Sequence, residues 1–414
     1  MKKFVLLSFL LLGTASLNAQ DSNIPKVKIG GIFYLMGHYD SYKSVENRDG
    51  VSYSYPLAPN IDSDGNDINQ AGQFNLSAYA TRLNIEAAAF KLLEADARVY
   101  VEVDFMGSSS DFLQMIRLRH AYLDLQWEKD ELLFGQTNNL EYPSEVVSGV
   151  LTAGAGSPIA ILSRPTQVRY GRALGNNWKV YAALSYHHVQ ASDSSDPQTK
   201  NANRNSGMPS AEARIQFGST NRFFFGVSGG WKLLRPRLET SGGLEATEKI
   251  SSASATAFLR WNINGHTFKA QGVYGSNLSH LGMIGGYAKQ ADLMEEGMDY
   301  DYSLTNFLAT SVWADFETKA YKHFQLGIFG GYMENLGTGK EIDRTIVCAR
   351  NANLHYTGRV SPRITWSKEK FLLGLEYSIF WAKWGKTFDE HYLPIESYKT
   401  TYNNRVTMLV RYTF

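Results

Sequence analysis

Four arginines, Arg117, Arg119, Arg164 and Arg169, fall in one part of this 414-residue chain, and two acids, Glu102 and Asp104, precede them. A guanidinium is always charged and presents a planar fork of N–H donors, so grouped arginines suit the capture of carboxylates, phosphates and other anions. Acids nearby allow a second outcome, in which the same side chains neutralise each other as ion pairs. Both readings stand on the residues alone. Other chemistry-bearing stretches lead nowhere comparable. Gly226-Val227-Ser228-Gly229-Gly230 has the spacing of a nucleophile elbow, yet it lies inside an extended stretch between Phe225 and Trp231 instead of a strand-turn-helix. Asp62-Ser63-Asp64-Gly65-Asn66-Asp67 imitates a calcium loop, but Asp67 occupies the glycine position and Gln73 that of the bidentate glutamate. His187 and His188 are neighbours in an extended stretch and point to opposite faces. No catalytic residue, metal site or cofactor is expected.

The elements that must carry the arginines are strands. In 97–105, Val99, Val101, Val103 and Phe105 alternate with Arg98, Glu102 and Asp104; in 402–414, Tyr402, Val406, Met408, Val410, Tyr412 and Phe414 alternate with Asn403, Arg405, Thr407, Arg411 and Thr413. Sixteen such stretches can be marked, from 26–39 to the last, which ends on an aromatic ring. The stretch 114–127 changes phase. Leu118 and Tyr122 share a face and Leu123 does not, so a β-bulge is expected near His120 and Ala121. An apolar face against lipid and a polar face against a water-filled lumen define a transmembrane β-barrel strand, and an arginine facing lipid near the midplane would cost about 2–4 kcal/mol. Arg82, Arg98, Arg214, Arg260, Arg359, Arg363 and Arg405 therefore join the lumenal set. Glu86, Glu102, Asp104, Glu212, Asp315 and Glu376 could oppose them across the pore.

Composition fits that class. Mean hydropathy is −0.28 and aromatics make up 13%, which suits half-polar strands with interfacial rings better than apolar helices. Lys2, Lys3, the apolar run 4–12 and the small residues 13–19 read as a signal peptide over 1–19, leaving 20–414 as an outer-membrane barrel. Forty-one basic and 40 acidic side chains give a formal charge of +1, which excludes a chain-wide nucleic-acid binder. Short turns such as Asn264-Gly265 alternate with long polar connections over 41–72, 139–164, 190–208, 234–248, 276–301, 337–355 and 383–401, expected outside the cell. One of these is different. Residues 146–162 carry no charge and contain Gly149, Gly154, Gly156 and Pro158, so 139–164 is expected to fold into the barrel and narrow it.

The run Tyr100-Val101-Glu102-Val103-Asp104-Phe105, then Arg117-Leu118-Arg119-His120-Ala121-Tyr122, Leu133-Phe134-Gly135-Gln136-Thr137, Ser163-Arg164-Pro165 and Gln167-Val168-Arg169-Tyr170 resembles the DcaP-like porins. The resemblance thins after about residue 170, through Gly330-Gly331-Tyr332, Asn335-Leu336-Gly337 and Arg359-Val360-Ser361-Pro362-Arg363. It implies an all-β, sixteen-stranded transmembrane antiparallel up-and-down barrel, a homotrimer in outer-membrane lipid assembled by the barrel assembly machinery, and passive diffusion of small hydrophilic solutes with a preference for anions. Arg117, Arg119, Arg164 and Arg169 are the constriction arginines it implies, with Arg82 beside them by alternation. Some members carry an N-terminal coiled coil, whereas only residues 21–25 precede the first strand here. Two other classes remain open. A lipid-hydrolysing barrel would need an outward serine with a histidine near the outer rim, and a structural barrel would have a closed lumen.

Overall fold

The computed structural model describes residues 24–45, 47–188, 201–240, 242–291 and 302–414, so the signal segment lies outside the described residues. The wall begins with β1 (Lys26–Asp40), a strand split into β2 (Gln73–Ser77) and β3 (Arg82–Leu92), β4 (Ala95–Asp104), β5 (Arg117–Gln126), β6 (Asp130–Gln136), β7 (Thr166–Leu174) and β8 (Trp178–Tyr186). It continues with β9 (Ser210–Ser219), β10 (Phe223–Leu234), β11 (Ile250–Ile263), β12 (His266–Ser276), the short outer strand β13 (Gly285–Gln290), β14 (Leu304–Glu317) and β15 (Phe324–Thr338). The outer β16 (Ile342–Arg350), β17 (Leu354–Lys368), β18 (Phe371–Phe388), the outer β19 (Pro394–Ser397) and β20 (Thr401–Thr413) complete the chain. Each wall strand pairs antiparallel with its neighbour, and β20 closes on β1 from Ile32↔Thr413 to Asp40↔Arg405. Counting β2 with β3, the described residues form a closed barrel of sixteen strands.

Alternation sets the two faces. Outward side chains such as Val27, Ile29, Ile85, Leu184, Val227, Val312, Leu375 and Met408 are exposed, while Glu102, Asp104, Arg359, Glu376 and Arg405 are buried inside. An apolar belt of this extent needs a hydrocarbon solvent, which places the barrel in the outer membrane. Rings mark its lower rim. Trp178 packs on Phe217 at 4.9 Å, Phe223 on Trp261 at 6.4 Å and Trp366 on Phe371 at 6.2 Å, beside the short turns.

Two bulges bend the wall where the arginines sit. On β5 the register runs Glu102↔His120 and then Val103↔Leu118, which leaves Arg119 as the extra residue. The bulge is thus one position before the expected pair, and its effect on phase is the expected one for Leu123, which returns to the outward side opposite Val99. Tyr122 departs from expectation. It faces inward, opposite Tyr100 with ring centroids 5.6 Å apart, because the extra residue reverses the phase it shared with Leu118. The second bulge separates β2 from β3: Ala78–Thr81 oppose only Phe33–Leu35, between Met36↔Ser77 and Ile32↔Arg82.

The long connections do not all stand clear of the barrel. Tyr53 and Tyr55 of the first, Val146, Ile159 and Ile161 of segment 139–164, and Leu278, Leu281 and Met283 beyond β12 form one buried cluster with wall residues Phe224, Phe258, Trp313 and Phe329. Residues around 60–68 remain outside, with Ile61 and Ile68 exposed. The expectation that all of 41–72 and 276–301 lies outside is therefore corrected for about 42–56 and 277–285. Their aromatic and aliphatic side chains gain burial by turning inward, and residues 292–301 lie outside the described residues.

Candidate functional site

Segment 139–164 runs along the inner side of the wall, and wall polar groups hold its backbone. Leu140 N donates to Glu212 on β9 at 3.2 Å, Gly149 N to Asp315 on β14 at 2.9 Å, and Leu151 N to Glu376 on β18 at 3.0 Å. From the other direction, Arg260 donates to the Glu145 carbonyl, Lys269 to the Val147 carbonyl and Ser311 to the Ile159 carbonyl. A side chain on Gly154 would place its Cβ 1.7 Å from the Ser52 carbonyl oxygen, so this glycine allows the inward part of the first connection to lie directly on the segment. Asp315 also pairs with Arg363 at 2.7 Å and Glu376 with Arg359 at 2.6 Å. These lumenal acids are occupied by loop amides and neighbouring arginines.

Two cavities lie on either side of the segment's end. The outer one, about 640 Å³, is lined by Arg48, Ser108, Ser110, Arg117, Arg350 and Pro165 among others; the inner one, about 460 Å³, by Tyr34, Arg82, His120, Ser148, Arg363 and Arg411. Arg119, Leu162 and Arg164 line both. These three side chains form the neck between the spaces.

The expected site residues divide at this neck. Arg117 holds Asp104 with two hydrogen bonds, at 3.0 and 2.6 Å, and Arg119 bridges Glu102 at 2.6 Å and Asp104 at 3.0 Å. Strand alternation makes this possible, since Arg117 lies opposite Asp104 and Arg119, two residues on, shares its side with the two acids. Arg82, on β3, lies with its guanidinium 5.3 Å from the Tyr34 ring centre, and its Nε and that of Arg164 are buried with no hydrogen-bond partner among the described residues. Four guanidinium charges against two carboxylates leave the neck a net +2. Burial, then Arg119, Arg117 and Arg82, draw the Arg164 pKa down to about 9. A guanidinium does not give up its proton in a protein, so the same strain appears as attraction for an anion.

Arg169 is elsewhere. It binds Glu131 at 3.0 Å, shares that acid with Lys179, stacks over Tyr181 at 5.6 Å and lines neither cavity. An extended chain rises roughly 3.3 Å per residue, so five residues separate Arg169 from Arg164 by about 16 Å along the wall. Arg48, Arg350 and Arg411 reach the cavities without having been singled out from the sequence. Arg411 was legible on the polar face of the last strand. Arg48 and Arg350 belong to connections, where alternation gives no signal.

The remaining motifs settle into the wall and loops. Ser228 sits mid-strand in β10, buried on the inner side opposite Arg214 and Thr256, so there is no elbow and no outward serine at this motif. Asp62 accepts the Asp64 and Asn66 amides at 2.9 and 2.8 Å, an Asx turn. His187 is buried toward Glu212, whereas His188 bonds Thr166 on the exposed side.

No family model matches the chain, and no curated protein matches it. Among solved structures, the outer-membrane channel DcaP of Acinetobacter baumannii superposes with a TM-score of 0.66 at 17% identity, covering 94% of this chain and 97% of that one. OmpT of Vibrio cholerae in its trimer form gives 0.55 at 10% identity, covering 95% and 100%. An anion-selective porin from Comamonas acidovorans gives 0.54 at 8% identity, covering 94% and 100%. At these identities the likeness is one of fold: the chain shares the closed antiparallel barrel of these outer-membrane proteins.

Proposed function

We propose that the chain forms a diffusion channel for small hydrophilic solutes with a preference for anions, narrowed by segment 139–164. The observation that carries this reading is the neck, where Arg119, Leu162 and Arg164 line both cavities and the local charge is +2. A solute passing from one cavity to the other meets these side chains at contact distance. Low-dielectric walls focus their field, so anions are concentrated and cations repelled. Arg48, Arg117 and Arg350 line the outer approach together with Asp111, and Arg82 and Arg411 line the inner exit, where Arg363 is paired with Asp315 and Glu317. The loops that fill much of the lumen restrict the path to small solutes. Assembly as a homotrimer belongs to the same reading, supported by the trimer form described for the Vibrio cholerae barrel of like fold.

Single-channel recording in a planar bilayer tests it. Discrete conductance steps, with a zero-current potential in a KCl gradient of the sign for chloride preference, are expected. A purified, heat-modifiable barrel that passes no current would leave a structural barrel with a closed lumen.

A further inference from the structure

The first turn of segment 139–164 rests on a cluster of charges buried in the inner wall. Glu141 is fully buried and accepts hydrogen bonds from Ser254 Oγ at 2.9 Å and Thr256 Oγ1 at 3.2 Å, both on β11. Its neighbour Leu140 donates to Glu212 on β9, so two carboxylates from different elements flank one turn of backbone. On β10, Gly230 makes room for Glu141, because a Cβ there would sit 2.5 Å from Oε2. Two residues along, buried Lys232 donates from Nζ to the Asn277 carbonyl at 2.7 Å and contacts His280 Nδ1 at 2.9 Å. His280 packs against His187 with ring centroids 4.8 Å apart, and His187 Nε2 lies 3.5 Å from Glu212. Gln271 of β12 completes the setting by donating to the Glu141 carbonyl.

Charge counting makes the state of Glu141 decisive. The Lys232 ammonium presents a proton to His280 Nδ1, which must then be an unprotonated acceptor, and burial and Lys232 hold the His280 pKa well below its ordinary value. Lys232 supplies one positive charge against the two carboxylates, and burial lowers its pKa from 10.5 to about 7, so that charge fades as the pH rises. An ionised Glu141 then stands as a second buried carboxylate beside Glu212 with its cationic counterpart failing over the same range, whereas a protonated Glu141 adds no charge to the cluster. Burying an uncompensated charge is costly.

We propose that Glu141 is a positioning residue for the neck: protonated, it holds segment 139–164 against the wall, and its ionisation loosens that segment. This rests on the reading that the segment narrows a channel. Burial, then Glu212, raise the Glu141 pKa from 4.5 to about 7. The sign follows from an acid whose docked pKa is raised. Below pH 4.5 docking carries no penalty; the penalty grows between pH 4.5 and 7 and is complete above about 7. Alkaline conditions should therefore open the neck.

The test compares wild type, E141Q and E212Q in planar bilayers from pH 5.5 to 8.5. Wild-type conductance is expected to rise from pH 5.5 and level off above about pH 7, and E141Q, which keeps both hydroxyl partners without the charge, to stay low throughout. E212Q removes the like charge and leaves Lys232 to pair with Glu141. The midpoint should then fall, a shift that a merely structural role would not produce. A second readout does not need current: spin labels at S144C and N264C, in a C348S background, report the distance from the segment to a periplasmic turn. Broadening of that distance with pH in wild type, absent in E141Q, supports the latch even if the barrel conducts nothing, in which case only the channel reading fails. Identical pH profiles of distance in wild type and E141Q overturn it.

Discussion

Arg164→Gln isolates the field of the neck from its architecture. Arg117 and Arg119 hold buried acids, so removing either disturbs packing as well as charge; Arg164 has an Nε without a hydrogen-bond partner among the described residues and lines both cavities. The substitution takes the neck from a net +2 to +1. For an ion passing roughly 6 Å from the lost charge at an effective dielectric of about 40, Coulomb's law gives about 1.4 kcal/mol. That is about a tenfold change in relative anion permeability. The separation is shorter than the Debye length of about 10 Å at 0.1 M salt, so much of the effect survives screening. The assay is the zero-current potential across a tenfold KCl gradient, with heat-modifiable gel mobility confirming an assembled barrel. R169Q is the matched control, since Arg169 is paired with Glu131 and touches neither cavity. An assembled R164Q barrel with wild-type ion preference would falsify the mechanism, all the more if R169Q shifted it instead.

Asp104→Asn should move two observables in opposite directions: the net charge of the neck rises to +3 and anion preference increases, while Arg117 and Arg119 lose their shared acid. Leaving buried charges unpaired costs about 3–5 kcal/mol, read as a lower unfolding temperature of the barrel in detergent. Gly154→Val forces a side chain into the Ser52 carbonyl and should push segment 139–164 away from the first connection, raising conductance and weakening anion preference together. Raised conductance with unchanged selectivity would mean that Arg164 does not travel with the segment.

Strands were legible because each one solves the same local problem, an apolar side chain outward and a polar one inward, and that solution has period two. Even the phase fault in 114–127 could be read from Leu118 and Leu123, although the extra residue is Arg119 and not the pair after it. Depth was not legible. Alternation says that Arg119 and Arg169 both face inward, but which inward residues meet depends on register and on what fills the lumen. The first connection shows the same limit: Tyr53 and Tyr55 look like ordinary residues of a polar loop, and partners remote in sequence draw them inside, among them Arg350, Asn351 and Trp384 and the buried apolar cluster. Arg48 was missed for that reason too, since the carbonyls of Met106 and Ser108 that hold it belong to another connection.

The positive neck arises from how the acids are used, not from any excess of arginine. Forty-one basic and 40 acidic residues nearly cancel over the chain. Inside the barrel, Glu212, Asp315 and Glu376 each accept a backbone amide of segment 139–164, and the last two also hold Arg363 and Arg359. Those acids fix the segment on the side of the wall formed by β9 to β18 and are spent there. On the opposite side, Glu102 and Asp104 are saturated by Arg117 and Arg119. Arg164 enters from the end of the segment and Arg82 from the strand beyond, where no described acid within ion-pair distance remains to meet either. Anchoring the segment and polarising the neck are therefore one arrangement of charge, so a substitution that frees a wall acid from the segment, such as removal of the 146–160 stretch, should weaken anion preference while every neck arginine except Arg164 keeps its place.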